Sequence, residues 1–271
     1  MSAKRVIITG AASGIAAATM AEFQRRGVNV VGLDRNARHD GLIACDVRDQ
    51  AAVDEAVHEA VQRLGGLDVL INCAGLATPQ SAGLPPDEKA IAVIDVNLIG
   101  PWRVTSAALP ALRDARGRVV NVASGMAFVA MPFAPAYAMS KHGIVAYSGA
   151  LRLEHGDAIT VSTVYPGNIK TPIHRDSIEF GFEVSSPEES IEDAVAALAR
   201  AALGDPPVRD ITTTRTGRFT NALTRFAPRR FVDWVILGQL RKKMQDRHFD
   251  DPSSPVAQFA NRLTTGGSGN P

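Results

Sequence analysis

Short apolar runs alternate with longer stretches of helical period along most of the chain. The runs at 4–9, 28–33, 42–45, 68–72, 117–123 and 159–165 are rich in Val and Ile and stop at Gly, Asp, Asn, Ser or Pro. They are continuous rather than alternating, the pattern of strands covered on both faces. A seventh is expected near 208–212. Between them, 14–26, 49–64, 87–113, 135–155 and 187–203 carry apolar residues at helical spacing. Strict alternation of strand and helix predicts an α/β chain built on a doubly wound parallel sheet, one domain over residues 1–204. One link breaks the rule. Only Arg35 to Leu42 separate the second and third strands, too few for a helical crossover, so a loop is expected there. Ser186-Pro187-Glu188-Glu189 reads as a capped helix start with acids in its first turn.

Two stretches lack a clear period. Pro172 to Ser185 looks like a mobile substrate lid of about 172–185. Beyond Gly204-Asp205-Pro206-Pro207 the chain changes character, and 205–263 is expected as a C-terminal helical extension of the same domain. From Arg215 to Arg247 it holds nine Lys or Arg against two acids. Phe226, Phe231, Trp234, Val235, Ile236, Leu237, Leu240 and Met244 predict an amphipathic helix beginning after Pro228. A basic flank with an apolar face suits a membrane surface, a subunit contact or a cover over a pocket. The last two are favoured over peripheral membrane contact. The Gly/Ser-rich end, 264–271, is expected to be a disordered tail.

Composition narrows this picture in three ways. A length of 271 residues suffices for one well-buried α/β domain, and a net charge of +1 offers no electrostatic case for nucleic acid as a partner. Cys45 and Cys73 both fall in apolar, strand-like contexts, so buried free thiols in a reducing compartment are expected. The first strand follows the N-terminus directly, leaving no room for a removable signal. No apolar run approaches the ~20 residues that span a bilayer. A cytoplasmic protein is the expectation.

The candidate chemistry lies at strand ends. The first strand runs into Thr9-Gly10-Ala11-Ala12-Ser13-Gly14-Ile15-Ala16 and then into a helix. Gly10 allows a tight turn, Gly14 lets a pyrophosphate approach the backbone, and the amides of the helix start face the anion. Asp34 ends the second strand twenty residues after Gly14, where a carboxylate accepts hydrogen bonds from adenosine ribose hydroxyls. That carboxylate would repel a 2′-phosphate, so NAD is expected rather than NADP, with Arg35 the one feature against. Further on, Tyr137 and Lys141 are i,i+4 neighbours on a helix face. A free phenol has a pKa near ~10, and a nearby ammonium pulls it down. Ser124, at the end of the run through Ala123, points a hydroxyl towards the same spot.

Taken in order, Thr9 to Ala16, Asn72-Cys73-Ala74-Gly75, Ser124, Tyr137 to Lys141 and Pro166-Gly167 resemble the short-chain dehydrogenase/reductase family over about residues 4–204. Ala16 stands where that pattern has its third glycine, and Cys73 replaces its second Asn. The resemblance implies a Rossmann-like sheet, an NAD cofactor, no metal, and hydride transfer between the nicotinamide and a carbonyl/alcohol carbon. It makes Tyr137 the acid/base, Ser124 the partner of the substrate oxygen and Lys141 the partner of the nicotinamide ribose. Asn97 becomes the fourth catalytic member, a mid-helix residue that kinks its helix and holds a water near Lys141. Ser13 and Ile15 join Gly10 and Gly14 in the pyrophosphate turn, and Asp46-Val47 lie against the adenine. Asp46 reads equally as the cap of the next helix. Asn72, Ala74 and Gly75 would line the adenosine ribose and pyrophosphate, while Pro166, Gly167, Ile169 and Thr171 would meet the nicotinamide half.

Two other readings share this fold. One is a catalytically silent nucleotide-binding or scaffold protein, which would have no need of Tyr137, Lys141 and Ser124 together. The other is epimerisation or dehydration of a nucleotide sugar, which the short C-terminal region disfavours. Met126, Phe128, Met131 and Phe133 precede Tyr137, and Phe180 and Phe182 fall in the presumed lid. They are either ordinary core or an apolar wall for a hydrophobic alcohol or ketone, such as a lipid, retinoid or steroid. Helices 87–113 and 135–155 are apolar on more than one face, so a homodimer or homotetramer through them is expected.

Overall fold

The computed structural model describes residues 3–38, 41–174, 188–244 and 254–264. Seven parallel strands form the central sheet: β1 (Arg5–Thr9), β2 (Asn29–Asp34), β3 (Leu42–Ala44), β4 (Val69–Asn72), β5 (Arg118–Val122), β6 (Thr160–Tyr165) and β9 (Asp210–Thr212). Their order is β3-β2-β1-β4-β5-β6-β9. The chain moves outward one way from β1, returns, and moves outward the other way from β4, so the crevice lies above the carboxyl ends of β1 and β4. A small second sheet pairs β7 (Asn168–Ile169) with β8 (Glu188–Glu189).

Side-chain alternation along β1 divides the core into two layers. Ile7 faces α2 (Gln50–Leu64), α4 (Gly100–Asp114) and α5 (Pro135–His155), packing in one cluster with Leu33, Val53, Leu70, Val104 and Leu151. Val6 and Ile8 face α1 (Gly14–Arg25) and α6 (Ile191–Leu203), in a cluster with Phe23, Ile71, Val120 and Leu198. Ala16 belongs to this second cluster and is buried. The methyl at the position of the expected glycine is therefore part of the helix–sheet packing.

The expected long helix at 87–113 is divided. It begins as α3 (Glu88–Ile94), passes through a π-helical turn at Asp95–Ile99 and continues as α4. Gly100 N–H donates to the Asp95 carbonyl five residues back. Pro101 has no N–H to give, so the ladder loses its next bond, and the wider turn absorbs the loss. The helix expected at 187–203 starts later than its sequence suggests. Glu188–Glu189 is a strand, and Ser190 caps α6 by accepting from Asp193 N–H at 3.0 Å. Ser186 and Pro187, read as the cap and first turn, lie outside the described residues.

Past β9 the extension folds as α7 (Arg215–Phe226), α8 (Arg229–Met244) and α9 (Pro255–Thr264). The sequence pattern predicted only α8. Leu240, Met244, Val256 and Ala260 close around Phe133, whose ring meets Phe259 edge-on at 5.4 Å. Phe133 is held at φ 60°, a conformation that bulky residues adopt only under constraint. This anchor brings the extension over the cleft. Residues 175–185 of the presumed lid and the tail at 265–271 fall outside the described residues; Thr264 ends α9.

Candidate active site

An open cleft of about 1560 Å³ runs along the carboxyl ends of the strands, from Arg38 beyond β2 to Gln239 on α8. At one end β1 turns through Gly10 (φ 75°) and Gly14 (φ 57°), both left-handed. A Cβ on Gly10 would sit 2.8 Å from the Ala74 Cα, so only glycine lets the ends of β1 and β4 touch. Thr9 Oγ1 locks that contact by accepting from Cys73 N–H at 3.0 Å and Ala74 N–H at 3.1 Å. The Thr171 side chain lies 3.7 Å from where a Cβ on Gly14 would stand, closing the turn from the far side.

The residues here fit a dinucleotide. Ser13, the N-cap of α1, makes no side-chain bond to the first-turn amides, and no acid lies in that turn. The amide donors of a helix start thus face the cleft with an anion's place before them. Asp34 is held at the carboxyl end of β2, accepting from Ala12 N–H at 3.0 Å and Asn36 N–H at 2.7 Å. Asp46 and Val47 line the same end. Asp46 is not the cap of α2, because its carboxylate is taken by Arg48, at 2.6 Å. Asp49 caps instead, accepting from Ala51 and Ala52 N–H. Arg38, which the sequence pattern did not single out, joins Arg35 on the cleft wall beside Asp34.

At the other end Ser124, Tyr137 and Lys141 come together on the floor. β5 delivers Ser124 at its carboxyl end, and α5 presents Tyr137 and Lys141 one turn apart. The Tyr137 phenol is hydrogen-bonded with Ser124. Lys141 Nζ donates to the Val122 carbonyl at 3.0 Å and stands 5.7 Å from the centre of the Tyr137 ring. The electrostatics differ from the sequence expectation. Burial raises the Tyr137 pKa, the bond with Ser124 opposing it, and Lys141 does not pull it down. The ammonium is itself disfavoured, burial bringing Lys141 down to about 8. Desolvation of both groups outweighs their attraction.

That inversion has a measurable consequence. The folded Lys141 value lies below its ordinary 10.5, so folding expels a proton and stability rises as pH climbs from about 8 to 10.5. Wild type is therefore expected to gain on Lys141→Met, by at most about 3 kcal/mol, between pH 7 and pH 10. Urea unfolding of both chains across that range checks this, since their other titrations are shared. Parallel curves would remove the buried ammonium.

Of the residues assigned from sequence, Gly10, Ser13, Gly14, Ile15, Asp34, Asp46, Val47, Ala74, Gly75, Ser124, Tyr137, Lys141, Pro166, Gly167, Ile169 and Thr171 all line this cleft. Asn72 and Asn97 do not. Asn72 is buried beneath the sheet ends, where its Nδ2 donates to Thr105 Oγ1 at 3.0 Å and Asn121 Oδ1 at 2.9 Å. Its side chain therefore turns into the core and away from the cleft. Asn97 sits in the π-helical turn, and its side chain does not compete for helix bonds. Oδ1 accepts from Leu76 N–H at 2.7 Å, while Nδ2 donates to the Leu76 carbonyl at 2.8 Å and Ser140 Oγ at 3.1 Å. It ties the strand-end loop to the helix that carries Tyr137. Glu189 went unnoticed, hidden in what looked like a helix start. It accepts from Gly167 N–H at 3.0 Å and Thr214 Oγ1 at 2.7 Å, fastening the extension to the cleft floor.

Met126, Met131 and Phe133 line the cleft, whereas Phe128 packs with Tyr165 and Ile144 in the core. Phe180 and Phe182 lie outside the described residues. Cys45 is buried and Cys73 half-buried, both as free thiols.

Fold and site together define a nucleotide-binding α/β oxidoreductase. A family model for short chain dehydrogenases matches residues 4–180. Oxidoreductase UcpA of Escherichia coli is 31% identical over 222 residues, 76% of this chain and 84% of that protein. A short chain dehydrogenase from Burkholderia cenocepacia, solved with NADP, shares the fold at TM-score 0.74 and 24% identity over 88% of this chain and 100% of the other. A 3-ketoacyl-(acyl-carrier-protein) reductase from Brucella melitensis, complexed with NADH, aligns at TM-score 0.66 and 26% identity over 77% and 96%. The chain belongs to the short-chain dehydrogenase/reductase family.

Proposed function

We propose that the protein is an NAD-dependent dehydrogenase/reductase that interconverts an alcohol and a carbonyl on a hydrophobic substrate in the cytoplasm. The observation that carries this is the meeting of Ser124, Tyr137 and Lys141 on the floor of a cleft whose other end is a phosphate-binding turn. The bound nicotinamide supplies the hydride acceptor or donor. Tyr137 takes the hydroxyl proton in oxidation and returns it to the carbonyl oxygen in reduction. Ser124 donates a hydrogen bond to that oxygen as its charge develops. Lys141, fixed on the Val122 carbonyl, would hold the nicotinamide ribose with its remaining N–H groups. A cation placed over this floor by the oxidised cofactor would oppose the upward push of burial on Tyr137. Asn97 acts as a positioning residue, holding Leu76 and α5 in register.

The substrate half supports the apolar class. Met126, Val129, Met131, Val235 and Ile236 line it, and a row of threonines on α7 supplies hydroxyls along one edge. A panel of aliphatic, terpenoid and steroid alcohols, read by nicotinamide absorbance with each cofactor, tests the reading. Turnover of charged sugars alone would exclude it.

The assembly follows from exposed apolar side chains on the same helices. Ile91, Trp102 and Leu153 are 56%, 59% and 90% exposed on α3, α4 and α5. Cover from a second copy is the common solution, so a homodimer or homotetramer through these helices is expected by light scattering. A monomer at micromolar concentration would overturn it.

A further inference from the structure

α7 is an amphipathic helix turned inside out. Thr216, Gly217, Thr220 and Thr224 face the cleft, while no residue of the helix is buried. Its apolar stripe instead points to solvent: Phe219 is 71% and Phe226 80% exposed, with Ala222 between them and Arg215 on the same line. A residue repeat of four, three and four keeps these on one face. α8 continues the surface, its Phe231 and Trp234 stacked at 6.1 Å, the indole 69% exposed. Leu223 and Phe231 are both exposed and part of the cleft lining, so the outward patch runs into the mouth of the substrate chamber.

The charge around the patch is one-sided. Residues 215–244 contain eight Lys or Arg, and Asp233 is their sole acid. Arg215 and Arg218 are exposed beside Phe219. We infer that this face docks on an anionic lipid surface, with the aromatic rings at headgroup depth and the chamber mouth against the bilayer. Aromatic residues ringed by arginine are the composition of an interfacial helix, and exposed aromatic area gains by leaving water. Among the described residues no helix is long and apolar enough to cross a membrane, so the contact is peripheral. A second copy does not fit the same patch. An isologous contact would set arginine against arginine, because both partners present the same surface. The sequence pattern favoured a subunit contact or a cover over the pocket for this basic stretch rather than a place in lipid. α8 does lie on the pocket, and it is the outer faces of α7 and α8 that remain for the membrane.

The test is flotation of the full chain with vesicles of phosphatidylcholine alone or mixed with phosphatidylserine. Wild type is expected to float with the mixed vesicles, at least about tenfold less with phosphatidylcholine alone, and less as salt rises. Phe219→Ser with Phe226→Ser, and separately Arg215→Glu with Arg218→Glu, should each reduce flotation about tenfold without changing the thermal melt or cofactor binding. No flotation, equal flotation on both vesicles, or indifference to both variant pairs would overturn the inference. So would vesicle-free self-association that the Phe variants abolish. Flotation does not depend on turnover, so loss of every activity would count against the catalytic reading alone.

Discussion

Tyr137→Phe is expected to remove at least about 99% of turnover while leaving NAD affinity nearly unchanged, because general acid–base catalysis contributes roughly 10²–10⁴-fold. The ring packs against Ala90, Val93 and Ala136, so the phenyl group keeps its place when the oxygen is removed. Ser124 loses a hydrogen-bond partner, but its Oγ still accepts from Met126 N–H at 3.1 Å and remains oriented. Lys141 keeps its bond to Val122. The floor is otherwise preserved, and what disappears is the proton donor. Steady-state kcat and a fluorescence titration of the cofactor separate the two effects. Half the activity surviving would sink the acid/base role of this residue.

The second large effect concerns the cofactor. NAD should be preferred over NADP in kcat/KM by ten- to hundredfold, or about 1–3 kcal/mol. Asp34 is fixed by two backbone amides, so it cannot swing away from a 2′-phosphate of charge near ~−2. Arg35 and Arg38 share the wall and pull the other way. Asp34→Asn keeps one oxygen for those amides and removes the charge. The preference should then fall to within about threefold or invert in favour of NADP. Equal or inverted kcat/KM values in the wild type would show that the arginines offset or outweigh the carboxylate.

How much of this was legible in the chain depends on where each signal resides. Strands buried on both faces advertise themselves as continuous Val/Ile runs, and all seven strands of the main sheet fall within a residue or two of the runs. The glycine turn is equally local, since Gly10 and Gly14 need a conformation that other residues avoid. Tyr137 and Lys141 share a helix, so their spacing alone sets them on one face. Caps were less secure. Asp46 and Asp49 are both acids ahead of α2, and only the competing Arg48 decides that Asp49 takes the amides. Similarly, Glu188 and Glu189 look like a helical first turn until β7 is there to pair with them.

The sequence by itself determined the sheet, the glycine turn and the pairing of Tyr137 with Lys141 on one helix face, because each is written in residues close along the chain. Tertiary structure alone decided what depends on distant partners. It turned Asn72 into the core by giving it Thr105 and Asn121, and it joined Asn97 to Leu76 and Ser140. Desolvation also decided the state of Tyr137 and Lys141, since a pKa is set by every group that displaces water and not by the nearest charge in the sequence. The same holds for the C-terminal helices. Their amphipathic pattern says that one face is apolar, but only the packing of α8 and α9 around Phe133 determined that α7 would show its threonines to the cleft and its phenylalanines to the outside.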